Sequence, residues 1–155
     1  MRSGKRLLGI LMLSVLVPVA YAFAQTQGAS KAAPAATQHV VVHLSRFGDN
    51  LHAATMALEL ASGLQKKGAK VTLLLDLEGV RLADSRTPAD LGFGHGETLE
   101  ARFKHFTEAG GSVVVCPHCA AIAGITPSGL RPGAAIAKEG EVAQLVMDAN
   151  KVINY

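Results

Sequence analysis

The chain has 155 residues, a formal net charge of +3 and two cysteines. Three of its fifteen basic residues and none of its twelve acidic ones fall in residues 1–24, so residues 25–155 carry equal numbers of each. With no basic run in that part, a nucleic-acid surface is excluded, and a loop closed between positions 116 and 119 is too small to explain the stability of a fold.

Residues 1–24 read as a cleavable secretory signal peptide. Arg2, Lys5 and Arg6 precede an apolar run over 7–17, Pro18 breaks it, and Ala22-Phe23-Ala24 supplies small residues around a cut before Gln25. The apolar run is too short to span a bilayer; the alternative is an uncleaved anchor. Residues 25–37, rich in Ala, Gly, Ser and Pro, read as a flexible leader, and 38–155 as one domain of ordinary size. Export implies an oxidising compartment, expected to be a bacterial periplasm, with no membrane contact after cleavage.

His39–Leu44 (HVVVHL) is a short apolar run expected as a buried strand. A helix is expected over 51–67, where Leu51, Ala54, Leu58, Ala61 and Leu64 recur at helical spacing before Lys66-Lys67-Gly68. Lys70–Leu75 (KVTLLL) is a second such strand. Residues 76–96 form a long irregular segment with a short helix near 80–83; a loop of that length is expected to be mobile or functional. A helix over 97–109 places Leu99, Phe103 and Phe106 on one side, and Ser112–Val115 is the third strand. A short helix follows within 116–124. A fourth strand over 134–137, a helix over 139–148 with Val142, Leu145 and Val146 facing inward, and a last strand over 151–155 complete the chain. Apolar strands alternating with helices predict an α/β/α three-layer sandwich, flavodoxin-like, with a mostly parallel sheet of four or five strands.

In such sheets ligands bind at the carboxyl ends of the strands. Cys116-Pro117-His118-Cys119 sits there, between the third strand and its helix. Unpaired N–H groups and the helix dipole favour thiolate at such a turn. Cys116 is the expected nucleophile, Cys119 the resolving thiol able to close a Cys116–Cys119 disulfide, and His118 a positive neighbour. An inert disulfide or two reduced core cysteines are the alternatives. Cys116, His118 and Cys119 are too crowded for a metal site and lack a fourth ligand, so neither metal nor cofactor is expected.

Arg46 and Asp49, after the first strand, are candidate binders of an anionic sulfur species or a partner tail. The alternative is a solvated loop in which Asp49 or Asn50 caps the next helix. His95, among three glycines, is a candidate proton donor over Cys116, or a plain surface histidine. His43 reads as a satisfied core histidine, and His52 and His105 as helix-surface residues.

The tetrapeptide is identical to the motif of DsbA-type disulfide oxidants, but there it follows an early strand and a cis-proline comes much later. Here only residues 120–155 follow, and Pro127 and Pro132 are too close. The whole of 38–155 instead resembles the DsrE/DsrF-like family, on HVVVHLSRFGDN, LLLDLEGVRLA, VCPHCAAIAGI (Cys116, Cys119, Gly124, Ile125) and LRPGA. The resemblance implies a homo-oligomer, trimer or hexamer, with the strand-end cysteine, here Cys116, carrying persulfide sulfur between a donor and an acceptor. The alternatives are a thiol-disulfide oxidoreductase with a redox partner protein and a non-enzymatic binding module with a structural disulfide.

Overall fold

The computed structural model describes residues 37–155; the expected signal peptide and, but for Thr37, the leader lie outside the described residues. The apolar runs form β1 (His39–Leu44), β2 (Lys70–Leu75) and β3 (Ser112–Val115), joined by β4 (Ala134–Ile136) and β5 (Lys151–Asn154). All pairings are parallel, in the order β4-β3-β2-β1-β5. Strands that bury both faces demand this arrangement, with a crossover between each pair. The crossovers carry α1 (Leu51–Lys66), α2 (Leu99–Glu108), α3 (Pro117–Ile122) and α4 (Glu141–Asp148).

The two sheet faces are covered unequally. Val40, Val42 and Leu44 of β1, Leu73 and Leu75 of β2, and Val113 and Val115 of β3 pack with Ala54, Ala57, Leu58 and Ala61 of α1 and with Phe103 and Phe106 of α2. The small side chains of α1 let its backbone approach the strands closely. The other face carries Val41, Leu74 and Val114, and α4 crosses it. No residue of α4 is buried. Of the residues expected to face inward, Val142 and Leu145 are half-buried, whereas Val146 is exposed, as is Met147 at 81%. Eight residues make a rod only about 12 Å long, too short to cover five strands spaced about 4.8 Å apart.

Two helices start later than hydrophobic spacing predicts. Thr98 Oγ1 caps α2 by accepting from the Ala101 N–H (3.2 Å), and Gly140, at φ +77°, turns the chain into α4. The segment after β2 is more ordered than its glycines predict. It forms a 3₁₀ helix, Leu77–Ala83, in which Gly79 crosses the end of β1; a Cβ there would lie 2.0 Å from the Leu44 carbonyl oxygen. Arg131, 7% exposed, anchors the end of this helix and the turn after it. Its Nε donates to Leu82 O (3.1 Å), its Nη2 to Thr87 O (2.7 Å), and its Nη1 pairs with Glu100 (3.0 Å).

Candidate functional site

β3 runs directly into the cysteine turn. The Cys116 N–H donates to Leu75 O (2.8 Å) in the neighbouring strand, and its carbonyl accepts from Ala120 (2.9 Å) as the N-cap of α3. Pro117 occupies the first helical position, where its fixed φ fits and its missing N–H costs nothing. Cys119, in the first turn of α3, comes back beside Cys116, and the two thiols interact. Both are half-buried, and both thiols are free in this structure.

The two sulfurs have different surroundings. Burial pushes the Cys119 thiol up from its ordinary value, an N–H from Leu77 pulls it back, and the contact with Cys116 and the charge of Asp76 push it further up. At Cys119, the expected resolving thiol, loss of solvation outweighs the backbone donor. Leu77 is the one non-glycine residue at positive φ among those described (φ +44°), and its side chain is 65% exposed. Cys119 packs against the main core. Cys116 opens instead onto an apolar groove of about 610 Å³ lined by Pro117, Val142, Ala143, Val146 and Met147, with Lys138 at its edge.

The other expected site residues are exposed or make their bonds elsewhere. His118 is exposed on α3. Arg46 pairs with Asp49 in the exposed loop after β1, and Asn50 is the cap of α1, its Oδ1 accepting from Ala53 (3.0 Å). His95 is exposed in a loop tied to the other helices. Its neighbour Phe93 stacks on His52 of α1 with ring centroids 4.2 Å apart, and the Glu97 carbonyl accepts from Arg102 of α2. The loop leans on α1 and α2, and Leu91 packs against the core. Among the described residues no three His, Cys, Asp or Glu side chains converge as metal ligands.

Two features at the strand ends escaped sequence reasoning. His43 Nε2 and Asp76 Oδ1 lie 2.8 Å apart. The signal was present in the topology: in a parallel pair with His43 opposite Leu74, the residue two beyond Leu74 projects on the same side, beside the end of β1. Arg86 was also missed. It grips the buried Asp84 carboxylate through Nε (2.9 Å) and Nη2 (2.8 Å), and its Nη2 also donates to Ala123 O (3.3 Å) and Gly124 O (3.2 Å) at the end of α3. Arg86 holds the Asp84 carboxyl below its ordinary value, against the opposing effect of burial.

None of the curated proteins matches the chain. Several solved structures match, among them two that are similar in fold. The ychN protein from E. coli is 23% identical, with a TM-score of 0.61 over 77% of this chain and 99% of its own. MTH1491 from Methanobacterium thermoautotrophicum, a protein of unknown function, is 13% identical, with a TM-score of 0.60 over 76% of this chain and 99% of its own. At these identities the likeness is one of fold alone. Residues 38–155, which hold the whole sheet and both thiols, match the DsrE/DsrF-like family, and the chain belongs to it.

Proposed function

We propose that this chain is an exported, periplasmic sulfur-handling protein in which Cys116 carries sulfane sulfur. The Cys116 thiolate attacks the outer sulfur of a donor persulfide; the donor S–S bond breaks, the donor leaves as a thiolate, and Cys116 becomes a persulfide. An acceptor thiolate then takes the outer sulfur and restores the Cys116 thiolate. Alternatively Cys119 attacks the inner sulfur, closing the disulfide and expelling hydrosulfide. One observation carries the reading: Cys116 opens onto a groove, while burial pushes the thiol of its partner Cys119 up from its ordinary value. The family's sulfur-relay association supports it.

The test is mass spectrometry of the reduced protein after exposure to a sulfane-sulfur donor. An adduct of about +32 Da on Cys116 is expected. It disappears in Cys116→Ser and lasts longer in Cys119→Ser. The direct thiol–thiol contact favours a second reading, thiol-disulfide exchange with a redox partner. No adduct, together with a couple above roughly −200 mV, would select it. If both serine variants keep full partner binding and activity, the pair is structural and the chain a binding module.

The expected partner is a protein that donates or accepts sulfur, or a redox partner. Self-association into a trimer or hexamer is part of the same proposal. The exposed Val146 and Met147 on a thinly covered face support it, and light scattering that reports a monomer would remove it.

A further inference from the structure

Asp84 and Arg86 take no part in the steps above, yet Asp84 is a buried carboxylate, and burying a charge is costly. Its guanidinium partner, Arg86, reaches the end of α3, the six-residue helix that carries Cys119. A helix that short has no stability of its own. Of its residues only Ala120 is buried, and the side chain of Ile122 lies in solvent. Packing holds α3 weakly, so its ends matter. At the near end the Cys116 N–H is tied to β2. At the far end Gly124 donates to Ala121 O (3.1 Å) and Ile125, itself buried, to Ala120 O (2.8 Å), the reciprocal pair that closes a helix. The Ala123 and Gly124 carbonyls remain, and Arg86 Nη2 donates to both (3.3 and 3.2 Å). The Ala123 N–H donates in turn to the Cys119 carbonyl (3.0 Å). A run of hydrogen bonds thus leads from Asp84 through Arg86 and Ala123 to the backbone of Cys119. The mounting is rigid: Asp84 Oδ1 also accepts from the Arg86 N–H (3.0 Å), Ser85 donates to Gly129 O (2.9 Å), and Arg131 holds Thr87.

We propose that Arg86, braced by Asp84, is a positioning residue for the thiol pair: it fixes the orientation of α3 and so holds Cys119 where its sulfur reaches Cys116. This rests on the working Cys116–Cys119 pair of the function proposed above, and not on the persulfide. With oxidised glutathione as the oxidant, Cys116 first displaces one glutathione and becomes a mixed disulfide. Cys119 then attacks the Cys116 sulfur, and the second glutathione leaves with the electron pair of the broken bond. The two cysteine thiols are oxidised to a disulfide, one glutathione disulfide is reduced to two thiols, and the two cysteine protons end on them. The equilibrium of this exchange reports the effective concentration of one cysteine thiol at the other. A helix free to rock lowers that concentration, and a clasped one raises it. Charge alone is not enough, because the planar guanidinium fork meets both carboxylate oxygens and two carbonyls at once, whereas a lysine offers a point charge.

The test equilibrates the full chain with defined ratios of reduced to oxidised glutathione and reads the oxidised fraction by alkylation and mass spectrometry. Arg86→Gln should lower the equilibrium constant for the Cys116–Cys119 disulfide roughly tenfold, which raises the potential of this two-electron couple by about 30 mV. Urea unfolding of both redox forms closes the cycle: the variant should destabilise the oxidised chain more than the reduced one, by the same factor. Arg86→Lys, which keeps a charge at the end of α3, should behave like Arg86→Gln. Equal losses of stability in the two forms, with an unchanged disulfide equilibrium, would overturn the proposal, because the clasp would then be structural only. An equilibrium restored by Arg86→Lys would overturn it as well, because charge would then suffice. A pair that glutathione does not oxidise at all would defeat it together with the working pair. A tenfold effect in a chain that takes no adduct of about +32 Da from inorganic polysulfide would sustain the positioning role and defeat the persulfide reading. The Arg86 side chain is 61% exposed, so neither variant disturbs the core; should Arg86→Gln fail to fold, Arg86→Lys provides the same comparison.

Discussion

The two faces of the sheet are built from similar strands and covered in opposite ways. On one face α1 and α2 bury a continuous cluster that includes Phe47, Phe103 and Phe106. On the other, α4 buries none of its own residues and leaves Val146 and Met147 in solvent. Stability therefore rests on the first face, and the second is where the chain has apolar surface to spare. The cysteine turn straddles the two: Cys119 packs against the first face, and Cys116 opens onto the groove beside α4.

The largest expected effect tests this division within one strand. Leu73 and Leu74 are chain neighbours, of the same type and both buried, but they project to opposite faces. Leu73→Ala should cost roughly 3–5 kcal/mol, because its cavity is walled by helices that cannot collapse into it. Leu74→Ala should cost roughly 2 kcal/mol, because a short, loosely packed α4 can settle inward. Urea denaturation measures both, and equal costs would erase the distinction between the faces.

The next test asks what the spare apolar surface is for. Replacing Val146 and Met147 together by serine removes mainly exposed apolar area, part of it lining the Cys116 groove. Thermal stability of the isolated chain should shift little, since surface changes stay within about 0.5 kcal/mol. Self-association should weaken by roughly tenfold or more, as truncation of central interface residues does. Sedimentation at several concentrations separates the two effects.

Much of the packed face was legible in the sequence. Near-continuous apolar strands and the Leu/Ala spacing of α1 are patterns that only burial explains, and the cysteine turn follows from a β-branched run meeting Pro117. The thin face was not legible. The amphipathic pattern of α4 says which side is apolar, but not whether another element covers it. The sequence places Arg46, Asp49 and His95 at strand ends; which strand end each one faces is decided by sheet order and by anchors such as Leu91. The His43–Asp76 pair was hidden for the same reason, since 33 positions separate residues that only the register of β1 and β2 brings together.

A smaller effect concerns the clasp at the end of α3. Asp84 is buried and its carboxyl is held down by Arg86. A depressed folded value means that the carboxylate stabilises the fold above its unfolded value, near the ordinary 3.8, and that this contribution disappears as pH falls through the lower folded value. Asp84→Asn should lose on the order of 1 kcal/mol near neutrality. The gap between variant and parent urea midpoints should narrow on going from about pH 7 to about pH 3. A gap that stays constant would mean that the carboxylate charge does not hold the cysteine helix.

The smallest effect lies at the seam between the faces. Leu77 sits at φ +44° with its side chain in solvent, so the fold bears a backbone cost of roughly 1–2 kcal/mol with little side-chain burial in return. Leu77→Gly removes that strain but frees the unfolded chain, which costs roughly 0.5–1 kcal/mol. The net change should be a stabilisation of less than about 1 kcal/mol. Reactivity should move the other way. Without a rigid residue to aim it, the N–H at position 77 meets the Cys119 sulfur less often, and alkylation of Cys119 should slow even as the protein becomes no less stable. Alkylation that stays unchanged in Leu77→Gly would show that the strained backbone contributes nothing to the thiol, and that the positive φ is only a consequence of Gly79 crossing so close to β1.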